Sequence, residues 1–216
     1  MKLYKIEKVF MNNPIRVWLQ RKVESPIMFE GLNLPKEPVC LEIGCGRGVG
    51  TLLINHRFGC KKVVAIDYDH EMIGQAKDYY TNPPGWARDI RKDNIDLKVG
   101  DASNMEFPDN CFDCVFSFGI FHHIKDWQKA ISEVHRVLKP NGYFSFEEFF
   151  LENMIWKINF QVAKRFFGHA PYVLLEEKEF RDCLKKLGFL FLRYKKERIP
   201  MSHCHAIMRK KGINSS

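Results

Sequence analysis

The sequence predicts a doubly wound α/β domain, and three observations carry that expectation. Short apolar runs alternate with helix-patterned stretches, the first run ends in a cluster of glycines, and acidic residues stand at the ends of successive runs. The 216 residues are 45% apolar and 28% charged, enough hydrophobic material for a sizeable core.

The elements follow in order. Asn13 before Pro14 suits an N-cap and first helical position, and Ile15, Trp18, Leu19, Lys22 and Val23 continue at helical spacing towards a stop near Gly31. The two prolines between Asn33 and Pro38 make a linker, so residues 1–38 form an N-terminal helical segment and residues 39–216 the main domain. Apolar runs at Val39 to Ile43 and Lys62 to Ile66 are each followed by a helix, about Val49 to Phe58 and His70 to Tyr80. The rhythm continues through Ile95 to Val99, Phe112 to Phe118, a helix from Trp127 to Leu138, a turn at residues 139–142, and Tyr143 to Phe146. Five strands in parallel order are expected.

Beyond that, Leu151, Met154, Ile155, Ile158, Val162 and Phe166 form one helical stripe before a break at Gly168 to Pro171, and predict a helical cap insertion over about 149–172. A helix from Glu176 to Leu187 ends at Gly188. Two β-rich runs, Phe189 to Tyr194 and His203 to Met208, can close the sheet.

No apolar run reaches the roughly 20 residues a bilayer span requires, and the N-terminus alternates Lys and Glu with apolar residues, unlike a signal peptide. A cytoplasmic protein with seven free, mostly buried thiols is the expectation. The net charge of +8 is uneven: residues 1–150 hold 20 bases and 20 acids, residues 151–216 hold 14 and 6. That basic last third suits an anionic partner, a nucleic acid or a membrane surface, although a solvated face is the plainer explanation.

The chemistry concentrates in Glu42-Ile43-Gly44-Cys45-Gly46-Arg47-Gly48, directly after a strand and opening a helix. Glycine there lets a ligand lie against the backbone, and the helix N-terminus beyond offers unpaired N–H donors. A dinucleotide fingerprint needs a third glycine where Val49 stands, and no Gly-Lys-Ser/Thr follows for a P-loop. Asp67 ends the second strand, where a carboxylate accepts both hydrogen bonds of a ribose diol; Asp101 lies just past the third, placed to accept from an adenine amino group.

On these residues the chain resembles the class I S-adenosylmethionine-dependent methyltransferases of the UbiE-like, type 11 group, over about Val39 to Phe149. The resemblance implies a Rossmann-like, mostly parallel seven-stranded sheet with an antiparallel last strand, and S-adenosyl-L-methionine as cofactor. It implies Glu42, Gly44, Cys45, Gly46 and Gly48 at the methionine end, Asp67 and Tyr68 at the ribose, Asp101 and Ala102 at the adenine, and Phe118 and Gly119 beside the donor methyl.

Methyl transfer to a small-molecule acceptor, apolar or partly anionic, is the expected activity; a nucleic-acid methyltransferase and a cofactor-binding scaffold without turnover are the alternatives. Positioning does most of the work in such a displacement, and a base is needed only when the acceptor carries a proton. The candidates are His122, His123, Glu147 and Glu148, with one glutamate directed into the crevice and the other towards water or a basic partner. Arg16, Trp18, Trp156 and Tyr172 are candidate acceptor-lining residues. Cys111-x-x-Cys114 and His203-Cys204-His205 suggest a metal, but strand alternation turns the two histidines together away from Cys204, and no metal site is expected.

Overall fold

A computed structural model describes residues 13–150, 173, 175–197 and 203–212. The cap insertion expected at 149–172, with Trp156 and Tyr172, therefore lies almost wholly outside the described residues.

One seven-stranded sheet has the order β3-β2-β1-β4-β5-β7-β6. Its strands are β1 (Val39–Ile43), β2 (Lys62–Asp67), β3 (Ile95–Val99), β4 (Phe112–Phe118), β5 (Leu138–Phe149), β6 (Phe189–Glu197) and β7 (His203–Lys210). The first five pair in parallel, and β7 runs antiparallel to both β5 and β6. This is the predicted Rossmann-like sheet with its reversed strand. The order turns back between β1 and β4, which is where open α/β sheets leave a ligand crevice at the carboxyl ends of their strands.

The helices are α1 (Pro14–Leu19), α2 (Ser25–Phe29), α3 (Val49–Phe58), α4 (His70–Thr81), α5 (Trp127–Val137) and α6 (Glu177–Lys186). On one face of the sheet α5 and α6 bury Trp127, Ile131, Val134, Phe180 and Leu184 against Leu41, Ile66, Val115, Phe144 and Phe146. On the other, α1, α2 and α3 bury Val17, Met28, Phe29, Leu53 and Ile54 against Cys40, Val63, Phe116 and Phe118. All seven cysteines are free thiols, five of them buried, and no helix among the described residues is long and apolar enough to cross a membrane.

The N-terminal helix starts as the sequence predicts, with the Arg16 N–H donating to Asn13 Oδ1 at 2.8 Å. It then differs in two respects. The stripe of Ile15, Trp18, Leu19 and Val23 is exposed, and the buried positions are Val17, Ser25, Met28 and Phe29. Val17, Ser25 and Phe29 are spaced in multiples of four, so at about 100° per residue an α-helix would carry Phe29 about 120° off the face that Val17 begins. A π turn at Gln20–Glu24 joins α1 to α2 and takes back part of that drift.

The turn expected at residues 139–142 interrupts no strand. Leu138 pairs with Phe112 and Tyr143 with Cys114, so four residues bulge opposite Asp113 while β5 runs through. Asn141 takes the left-handed φ of 64° that the bulge requires, and Lys139 Nζ donates to Asp113 Oδ1 at 2.8 Å.

Arg136, in the last turn of α5, ties down the loop after β3. Its guanidinium donates to the carbonyls of Met105 and Phe107 and to the carboxylates of Glu133 and Asp109, at 2.7–2.9 Å. An ammonium cannot reproduce this planar, five-donor pattern. Arg136→Lys should therefore lower the unfolding free energy by about 1–2 kcal/mol, read as a lower denaturant midpoint with an unchanged slope.

Candidate functional site

The site is built where β1 and β2 end. Three consecutive amides of the glycine turn point at the end of β2: Gly44 and Cys45 donate to the Ile66 carbonyl at 2.8 and 3.0 Å, and Gly46 donates to Asp67 Oδ2 at 2.8 Å. Gly44 has φ +70°, and a Cβ there would stand 2.3 Å from Ile120 Cγ2, so only glycine fits between the β1 and β4 ends.

Asp67 accepts a second amide, from Asp69, on Oδ1 at 2.9 Å. Each oxygen thus holds one N–H and keeps a further lone pair, in a carboxylate whose orientation the backbone sets. Burial raises its pKa above the ordinary carboxylate range, and the amides of Asp69 and Gly46 work against that. Asp101 follows β3, which lies beside β2; its Oδ1 accepts both the amide and the hydroxyl of Ser103, at 2.8 and 2.7 Å. Ala102 is buried beside it and Tyr68 is 59% exposed.

Glu42 is 1% exposed and turned beneath the first turn of α3, where Thr51 Oγ1 donates to its Oε2. Gly50 makes the room: a Cβ on it would stand 2.1 Å from Glu42 Oε1 and 2.9 Å from the Phe118 ring. Burial pushes the Glu42 pKa up to about 8, with the Thr51 hydroxyl opposing. Cys45 is buried with its thiol pKa raised, first by desolvation and then by Glu42 and Asp67.

The four candidate acid–base residues separate by strand alternation. Glu148 is fully buried on the α5 and α6 side, where its Oε2 accepts the Phe121 amide at 2.7 Å, and its Oε1 the Phe149 amide at 2.9 Å and His122 Nδ1 at 2.5 Å. Glu147 is 2% exposed on the opposite side, towards the N-terminal helix. Neither faces water; of the two surroundings expected for the second glutamate, Glu148 has the basic partner, His122. His123 packs against His122 with ring centroids 4.1 Å apart and the planes tilted by 45°, and burial lowers its pKa to about 3, so its ring is neutral. Gly119 meets the Phe149 ring, on which the His122 ring stands edge-on.

Sequence reasoning missed Thr51, Gly50, Ile120 and Tyr80. Tyr80, near the end of α4, donates its hydroxyl to the Gly48 carbonyl at 2.8 Å and roofs the turn. A glycine in the first turn of a helix, against its propensity, was the available signal for Gly50; the others depend on contacts distant in sequence. The Asn82-Pro83-Pro84-Gly85 stretch leads into a short 3-10 turn whose Trp86 ring lies 4.2 Å from the Arg21 guanidinium, joining it to the N-terminal helix.

A family model described as a methyltransferase domain matches residues 41–146. A demethylmenaquinone methyltransferase of Staphylococcus epidermidis is 32% identical over 132 residues, 60% of this chain and 51% of that protein. A sterol 24-C-methyltransferase of Kluyveromyces lactis is 26% identical over 167 residues, 74% of this chain and 42% of that protein. The chain spans about half the length of these curated relatives. The crystal structure of an SAM-dependent methyltransferase from Methanosarcina mazei superposes with a TM-score of 0.70 at 22% identity, covering 87% of this chain and 98% of that one.

The Glu42 carboxyl makes stability depend on pH. Its folded pKa of about 8 lies above the ordinary 4.5, so the folded state binds a proton that the unfolded chain releases, and stability falls as pH rises from 4.5 to 8. Glu42→Gln, which keeps an acceptor for Thr51, should match the wild type near pH 4.5 and exceed it by on the order of 4 kcal/mol above pH 8 in denaturant titrations.

Proposed function

Because a methyltransferase-domain family model matches residues 41–146, we propose that the chain is a class I S-adenosylmethionine-dependent methyltransferase that binds S-adenosyl-L-methionine at the carboxyl edge of β1 and β2 and methylates a small-molecule acceptor. The observation that carries this reading is the Asp67 carboxylate, held by the Gly46 and Asp69 amides with one lone pair free on each oxygen, which suits two hydroxyl donors on adjacent carbons.

The rest of the donor set fits the same molecule. Asp101, whose Oδ1 is taken by Ser103, offers Oδ2 to an exocyclic amine. Glu42 lies protonated below the turn at neutral pH and ionises when a cation is brought beside it, so cofactor binding releases a proton. Gly44, Cys45, Gly46 and Gly48 provide a floor without side-chain obstruction, Tyr68 and Ala102 flank the adenosine, and Phe118 and Gly119 border the donor end. The cofactor supplies a methyl group on a sulfonium that is already a good leaving group; the protein's task is to bring an acceptor atom into line with it.

For a protonated acceptor, His122 acts as the base. Glu148, held by two backbone amides, accepts from Nδ1 and so fixes the tautomer that leaves the Nε2 lone pair for the acceptor proton. Glu148 is a positioning residue. His123, neutral and packed against it, restricts the room in which the His122 ring can turn. The names of the curated relatives, which are methyltransferases of a quinone precursor and a sterol, favour an apolar acceptor. A cytoplasmic location is part of the same reading, as are the division of the chain near residue 38 and acceptor enclosure by the N-terminal helix and the 149–172 segment.

Calorimetry on the full chain should show saturable binding of S-adenosylmethionine and of its demethylated product, at least about tenfold weaker for Asp67→Ala with the fold retained by circular dichroism. No heat from either molecule with folded protein refutes the reading. With labelled cofactor and host extract, His122→Gln should lower methyl transfer by about 10²-fold or more while leaving cofactor binding unchanged.

A further inference from the structure

The His-x-His pair of β7 acquires a third partner through the sheet. The register sets Glu147 of β5 directly across from His205 of β7, and Phe149 across from His203, so alternation puts Glu147, His203 and His205 on one face. One ligating atom of each lies within 4.8 Å of the other two. Glu147 and His205 are each 2% exposed, while His203 is half-buried. The Glu147 Oε2 atom is buried and makes no hydrogen bond among the described residues.

A carboxylate oxygen left unbonded in such a place costs stability unless it takes a proton or a cation. The neighbouring charges on the N-terminal helix are Glu24 and Arg16. They largely cancel, since Arg16 Nη1 donates to both Glu24 oxygens at 2.6 Å. Two imidazoles and one carboxylate are the donor set of catalytic zinc and of non-haem iron centres, with at least one coordination position left open.

We propose that Glu147, His203 and His205 bind a divalent first-row transition metal ion on the face of the sheet that the N-terminal helix covers. Donors about 2.1 Å from a tetrahedral ion stand about 3.4 Å apart, inside the 4.8 Å within which the three ligating atoms already lie. The site stands on the sheet register and does not depend on the methyl-transfer reading. Cys204, between the two histidines, points to the opposite face into the main core and contributes nothing.

The test uses the full chain, stripped with chelator and free of any histidine tag, titrated with Zn2+ by calorimetry and with Co2+ by visible absorption. The proposal expects about one ion per chain and a cobalt spectrum of nitrogen and oxygen ligands. His203→Ala, at the most exposed of the three positions, and Glu147→Gln, close in shape to the original, should each weaken binding at least about tenfold with an unchanged far-ultraviolet spectrum. Failure of the folded wild type to bind either metal overturns the proposal. So does binding that both variants retain, or a cobalt spectrum with thiolate charge-transfer bands.

Discussion

The end of β2 is the constraint on which the rest of the molecule depends. The Ile66 carbonyl and the Asp67 carboxylate between them take the amides of Gly44, Cys45 and Gly46, so two strand ends and a turn become one rigid corner. Satisfying those donors within the protein fixes the turn in advance of any ligand. A turn whose amides were left to water would rearrange as a ligand arrived, whereas this corner presents an orientation already chosen. The same bonds hold Asp67 open towards the crevice, because each amide occupies only one side of an oxygen.

Beneath that corner the chain accepts an electrostatic cost. Glu42 is buried without a counter-charge among the described residues, with the Thr51 hydroxyl beside it and Gly50 cut back to admit it. Stability alone would favour an apolar residue there. Burial holds the Glu42 pKa near 8, and the protein retains this carboxyl at the expense of folding free energy as pH rises above about 4.5.

How much of this was legible in the sequence divides along the separation of the partners. The strands and helices of the parallel half follow from local patterning, and α3 starts and ends at the residues the pattern names, Val49 and Phe58. The glycine turn and the acids Asp67 and Asp101 were legible for the same reason, since each is marked by its place at the end of its own strand. The orientations of Glu147 and Glu148 were not. Adjacent residues on a strand must face opposite ways, but which way depends on a register with β4 and β7 that no local pattern encodes. The histidines of β7 show the limit most clearly: their alternation was readable, and the glutamate opposite them, 58 positions earlier, was not.

The π turn in the N-terminal helix bears on how this segment tolerates change. A coil with a widened turn is a dial as much as a rod, and removing one residue between 20 and 24 would restore ideal winding with Phe29 about 20° from the face that Val17 begins, so the widened turn absorbs about one extra residue. The wide turn thereby keeps Met28, whose carbonyl receives the buried Ser145 hydroxyl, and Ile27 and Glu30, which hold Arg193, within reach of the sheet. For this stretch of chain, sequence length is an angular quantity: one residue more than an ideal helix would hold is taken up in the widened turn, and Met28 and Phe29 still face the sheet.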